Sequence, residues 1–272
     1  MPKLTRLAVV AALSASCVVP PGARPGADVD LQVVSAQVYR GVVQSDTPVL
    51  IPTVAVTLPA KEDGRVILET TGNMDLASDN GNAWRPDGQA GSFSWLQWGA
   101  LYEQLLGDFA LVFGLISYNL ARADELQQAD GSPLGFDGST TELMVEAVTE
   151  LYGVNTGLRA SYDIDEIEGL YLQLGGDKSW QLDEQLSVGA GLSLGWMDQN
   201  QAYYQLGQYP RSGGLADLRL ESGLTYEYDR HTTLRFDLGY SSMMDSGFRY
   251  SLGKLGIDAD KLWAGVGVHW SY

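Results

Sequence analysis

The chain has 272 residues, with 32 glycines, 10% aromatics, only 10 prolines and a formal net charge of −17. That acidic balance excludes duplex nucleic acid as a partner, because phosphate binding needs basic surface. Mean hydropathy is −0.08, and no stretch reaches the roughly 18 consecutive apolar residues of a membrane-crossing helix, so a helical membrane protein is excluded as well.

In chain order, "MPKLTRLAVVAALSASC" places Lys3 and Arg6 before an apolar run over residues 7–13 and then small residues. This predicts an export signal over 1–17, too short to span a bilayer. The one cysteine, Cys17, stands where a bacterial lipoprotein signal carries its acylated residue, with Leu13 one step further away than that pattern has it. A lipid anchor at Cys17 and a cysteine lost with the leader are the two readings; a disulfide within the chain is excluded. "VVPPGARPGADVD" breaks helix and strand alike and predicts a linker over 18–30, with one domain over 31–272.

From there the pattern is period-two alternation, the mark of a strand with unlike faces. In "LSVGAGLSLGW" Leu186, Val188, Ala190, Leu192, Leu194 and Trp196 alternate with serine and glycine. In "TELMVEAVTEL" Leu143, Val145, Ala147 and Leu151 alternate with Glu142, Glu146 and Glu150. About twelve such segments are predicted, over 31–43, 49–58, 64–73, 94–105, 107–119, 140–152, 154–163, 167–176, 184–196, 214–227, 231–242 and 261–272. Most approach the roughly 9–11 residues with which a tilted strand crosses a bilayer.

The connections alternate too. The long ones, "NMDLASDNGNAWRPDGQAGSF", "ARADELQQADGSPLGFDGS", "MDQNQAYYQLGQYPRSGG" and "MMDSGFRYSLGKLGIDAD", are all odd-numbered, while "LLGD", "GVN" and "EYDRH" are tight. Long loops on one side and short turns on the other are the asymmetry of outer-membrane barrels. The predicted fold is therefore all-β: a single transmembrane, antiparallel, up-and-down barrel of twelve strands, with both termini periplasmic. Backbone groups in lipid must all be paired, which explains why the chain stays regular to its last residues: Tyr272, Trp270, Val268, Val266, Ala264 and Leu262 share one face of the strand that closes the ring. That strand, ending in Tyr272, is the expected signal to the barrel assembly machinery. Trp95, Trp98, Trp196, Trp263, Trp270 and Tyr272 are candidates for interfacial girdles.

Three stretches carry a family resemblance. "SAQVYRGVVQSDTPVLIPTVAVTL" resembles the opening hairpin of the TorF-type porin family of proteobacteria, where a strand ending in an aromatic, Arg and Gly leads through a Gln-Ser/Thr-Asp turn into the next. "GRVILETTGNMDL" is similar to that family's third strand, and "SYDIDEIEGLYLQLGG" to its Tyr-Asp, acidic-turn, Gly-x-Tyr hairpin. The resemblance spans most of residues 33–243 and implies an outer-membrane porin. An acyl-cysteine near the N-terminus departs from the family.

With the apolar sets toward lipid, the lumen receives Glu142, Glu146, Glu150, Arg159, Asp163, Tyr171, Gln173, Arg219, Glu221, Arg235 and Asp237 as pore-lining candidates. Buried charges must be hydrated or paired. Either they line a water-filled path whose acidic excess favours cations, or the arginines pair with carboxylates in a network that fills the bore. The expected function is passive diffusion of small hydrophilic solutes or ions with a weak cation preference, the glutamates of 142–150 setting it. The alternative is a plugged structural or adhesion barrel presenting its loops, "AYYQLGQY" first, to partners. The serine and glycine face of "LSVGAGLSLGW" leaves room for a solute or for bulky side chains opposite. Hydrolytic catalysis needs a histidine base beside a serine; His231 falls in a predicted turn and His269 on the lumenal face, so no enzyme is expected. No cofactor or metal is expected either, since "DIDEIE" lacks the glycine and terminal glutamate of a calcium loop. Partners are outer-membrane lipids, small solutes or ions and, by analogy with porins, further copies of the chain.

Overall fold

The computed structural model describes residues 25–61, 63–78, 89–119, 139–206 and 212–272. The predicted export signal, Cys17 and most of the predicted linker lie outside them, as do parts of three long connections. In chain order come β1 (Gly26–Val34), β2 (Gln37–Tyr39), β3 (Val42–Ser45), β4 (Val49–Pro59), β5 (Gly64–Asp75), β6 (Phe93–Leu106) and β7 (Phe109–Asn119). There follow β8 (Ser139–Leu151), β9 (Val154–Asp163), β10 (Leu170–Gln181), β11 (Leu186–Met197), α1 (Gln199–Leu206), β12 (Gly214–Glu227), β13 (Thr232–Met243), α2 (Ser246–Leu255) and β14 (Asp260–Ser271).

Twelve of the strands form one closed antiparallel barrel in the order β1, β14, β13, β12, β11, β10, β9, β8, β7, β6, β5, β4, leaving β2 and β3 as a separate hairpin. Closure runs through β1, which pairs with β14 from Asp28↔Ser271 to Val34↔Gly265 and with β4 from Gly26↔Thr57 to Val34↔Val49. The alternation predicted from sequence is the alternation of burial. Glu142 and Glu146 are each 2% exposed, whereas Leu143 and Val145 between them are 44% and 41% exposed. Leu158, Leu174, Leu192 and Val266 likewise lie exposed on the outer wall. A closed wall whose exposed face is the apolar one matches a hydrocarbon solvent, and the chain is an integral outer-membrane β-barrel. Among the described residues no helix is long and apolar enough to cross a membrane; this chain crosses with strands.

Twelve antiparallel strands put every odd-numbered connection at one end and both ends of the barrel chain at the other. The short-turn end includes Tyr152 and Gly153 with φ of 54° and 75°, the paired positive values of a two-residue hairpin turn. In the turn before β13, the Asp229 carboxylate accepts the His231 and Thr232 amides at 2.8 Å, and the bond from His231 foremost holds its pKa below the usual carboxylate range.

Three sequence expectations are corrected. The predicted first strand, 31–43, runs through three strands, β1, β2 and the start of β3. β1 starts at Gly26, inside the predicted linker, because closure offers that segment partners on both edges. The chain then leaves the wall, and Arg40 and Gly41, with φ of 49° and 80°, make a second two-residue turn that reverses it into the β2–β3 hairpin. Trp263 is not in a girdle: it is 7% exposed on the inner face, its indole over Gly239 and 5.3 Å from the Arg219 guanidinium. The connections expected to be loops carry α1 and α2. Helix α2 is capped by Asp245, which accepts the Gly247 and Phe248 amides at 2.8 and 3.1 Å, and ends at Gly256 with φ 71°. Arg249 on α2 bonds Asp260, whose hydrogen bond raises the guanidinium pKa.

Candidate pore: the barrel interior

The interior is built by the inward half of each strand's alternation, and it has two tiers. At the long-connection end the β2–β3 hairpin enters the barrel. Its Val38, Val42 and Val43 pack with Val34, Val49, Met197 and Met243 from the wall and with Ala202 and Leu206 of α1 and Phe248 and Leu252 of α2 in one buried apolar cluster. The hairpin tip lies against the wall across from its root. Arg40 donates both terminal nitrogens to the Glu142 carboxylate on β8, each at 2.7 Å. The guanidinium sits 4.8 Å from the Tyr39 ring and 4.5 Å from the Tyr171 ring on β10. Tyr39 and Tyr118 share a hydroxyl contact of 3.1 Å, and Tyr118 donates to Glu142 at 3.2 Å. At the base, Ser35 bonds Ala264 through both its amide and its hydroxyl, and Asp46 pairs with Lys261.

Beneath this tier the wall carries arginine–carboxylate pairs: Arg159–Glu146 at 2.8 Å, Arg65–Glu103 at 2.7 Å, Arg219–Glu221 at 2.5 Å and Arg235–Asp30 at 2.8 Å. Other inward carboxylates accept from neutral donors, Asp163 from Thr140, Asp217 from Tyr171, Asp237 from Gln32 and Glu69 from Gln97. Gln173 donates to Ser193 at 3.2 Å.

The structure thus places the candidates read from sequence on one inner surface but in different situations. Glu142, Glu146, Arg159, Arg219, Glu221 and Arg235 are in ion pairs; Asp163 and Asp237 accept from the neutral Thr140 and Gln32, Tyr171 donates to Asp217, and Gln173 donates to Ser193. Glu150 is exposed at the short-turn end, opposite Asn155. The small face of β11 lies opposite side chains as well as space: the Cβ missing from Gly195 would fall on Tyr171 and Asp217. His231 approaches the Ser271 carbonyl at 2.7 Å and stacks on Tyr272, while His269 lies 3.6 Å from Asp28 and from Asp30; neither histidine meets a serine hydroxyl among the described residues. Sequence reading missed Arg40, Arg65, Glu103 and Asp30. Arg65 and Glu103 sit in register across β5 and β6, a pairing invisible before the strands are aligned. Arg40 was hidden by treating "VYRGVV" as one strand, although two adjacent valines after Arg-Gly already break the alternation.

No protein-family model and no curated protein sequence matches the chain. Its fold matches solved outer-membrane barrels. It is similar to the NanC porin at a TM-score of 0.50 and 10% identity, over 89% of this chain and 98% of that one. It is similar to the KdgM porin at 0.47 and 9%, over 90% and 99%, and to OmpT of Vibrio cholerae at 0.41 and 8%, over 92% and 97%. At such identity the NanC likeness speaks for the fold, the same closed barrel that the strand order gives.

Proposed function

We propose that the chain is a porin-like outer-membrane channel of the TorF type its sequence resembles, passing small hydrophilic solutes or ions with a weak preference for cations. The observation that carries this reading is the balance of the inner wall. Among the described residues its arginines are each bonded to a carboxylate, while Asp163, Asp217, Asp237 and Glu69 accept from neutral donors, so the fixed charge left over is negative and favours cations. The termini and short turns face the periplasm in this reading, and the strand ending at Tyr272 is what the assembly machinery reads.

The buried cluster of hairpin, α1 and α2 favours a second reading, a plugged barrel that presents its long connections to partners. Conductance separates them. The mature chain, folded into a planar bilayer under a salt gradient, is expected to show discrete openings with a cation-side reversal potential. Replacing the exposed Glu150 by Gln, and by Asn the half-buried Asp177 of β10, which accepts from Asn155 at 3.2 Å, moves that potential toward zero. Folded, inserted protein that is silent with its native hairpin, and remains silent when the hairpin is removed, overturns the channel in favour of the plugged barrel.

A further inference from the structure

We infer that the β2–β3 hairpin is the permeation barrier of this channel, and that the Arg40–Glu142 pair pins it across the bore and masks the charge of Glu142. The inference rests on the channel reading and adds to it the element and the two residues that set conductance and ion preference.

The geometry carries it. Residues 35–48 are not needed to join β1 to β4, because Val34 and Val49 are themselves register partners and a two-residue turn closes such a pair. Instead the segment runs inward past β12 and reaches β8 and β10, on the far part of the ring. The Cβ missing from Gly41 would fall against Asp217 on β12 and Met243 on β13, so the tip is seated against several strands at once and only glycine fits there in the left-handed conformation. The charged group at the tip, Arg40, is 7% exposed in its side chain and faces Glu142 at 2%, with the tyrosine rings of Tyr39 and Tyr171 on the guanidinium. A fork-to-fork pair of this kind is the strong, directional form of an ion pair.

The pair makes a signed prediction that a free carboxylate does not. Without Arg40, Glu142 keeps, among the described residues, the Tyr118 hydroxyl, and a buried carboxylate without a counter-charge draws in water and a cation. Without the Glu142 charge, the guanidinium is the group left over, and it draws an anion. Were Glu142 an unmasked selectivity residue, Glu142→Gln would still move the preference toward anions, but Arg40→Ala would leave it unchanged.

The experiment is single-channel recording in a salt gradient on the full mature barrel, with each variant first shown to fold by heat-modifiable migration. Three variants are compared with the native protein: Arg40→Ala, Glu142→Gln, and a barrel in which residues 35–48 are replaced by Asn-Gly. The expected result is larger conductance in all three, with the reversal potential moving toward cations in Arg40→Ala and toward anions in Glu142→Gln. A replacement barrel that conducts no better than native protein, or two point variants that shift the potential in the same direction, overturns the barrier while leaving the channel standing. A folded replacement barrel that is silent sinks the channel itself. If the replacement barrel does not fold, the opposite shifts of the two point variants decide alone.

Discussion

Glu142, Glu146 and Glu150 share one face of β8, yet the fold gives them three different roles. Glu142 is held by a residue from another element, Glu146 by its register partner Arg159, and Glu150 by no ion pair among the described residues. Removing one member of a buried pair leaves the other without its bond. Glu146→Gln is therefore expected to lower the stability of the barrel by about 1–3 kcal/mol, while Glu150→Gln stays within about 0.5 kcal/mol. Urea titration of the folded protein in lipid vesicles measures both; equal costs would mean that the Arg159 pair is hydrated and unimportant. The same logic explains the glycines on the inner wall. Gly239 is opposite Trp263 in register, and the indole lies where a side chain at 239 would go, so the absent methyl is what lets the ring lie flat against the wall.

The elements outside the wall have their own stop and start signals. Asp245 takes the first free amides of α2, and Gly256 ends the helix in a conformation that costs other residues energy. Asp245→Ala is expected to cost about 1 kcal/mol, spent locally: hydrogen exchange of the α2 amides accelerates while the barrel's unfolding midpoint is unchanged. A shift in the midpoint would show instead that α2 and the wall unfold together. The β2–β3 hairpin is the opposite case. Its turn is as local as that of Tyr152 and Gly153, but nothing local says whether a hairpin projects outward or folds back into the ring.

At the scale of the whole molecule the decisive feature is closure. The last strand is bonded to the first along its length, and Tyr272 and Ala27 exchange backbone bonds at 2.9 and 3.2 Å. In lipid an unpaired edge has no water to replace those bonds. Removing residues 270–272 takes away the register pairs of Asp28 and Val29, and is expected to lower the yield of heat-modifiable, folded barrel on refolding into vesicles. A truncated chain that folds in full yield would show that the seam tolerates a frayed end.

The sequence by itself determined the class, the wall and its polarity. Alternation at a spacing that crosses a bilayer states which side chains face lipid, because in a strand the facing of every residue follows from the facing of one; the inner positions of Glu142, Asp163, Arg219 and Asp237 were legible for that reason. Loop parity stated which connections share an end. Only the tertiary structure decided who bonds to whom across the interior and what fills it. Arg65 meets Glu103 through the register of β5 with β6, Arg235 meets Asp30 across β14 at the seam that closure makes, and Arg40 meets Glu142 because a segment far away in sequence is sent through the ring. The hairpin also divided one predicted strand among β1, β2 and β3, since β1 takes its length from neighbours on both sides rather than from its own pattern. Local periodicity encodes orientation, whereas partnership inside a barrel depends on the shear and closure of the whole sheet.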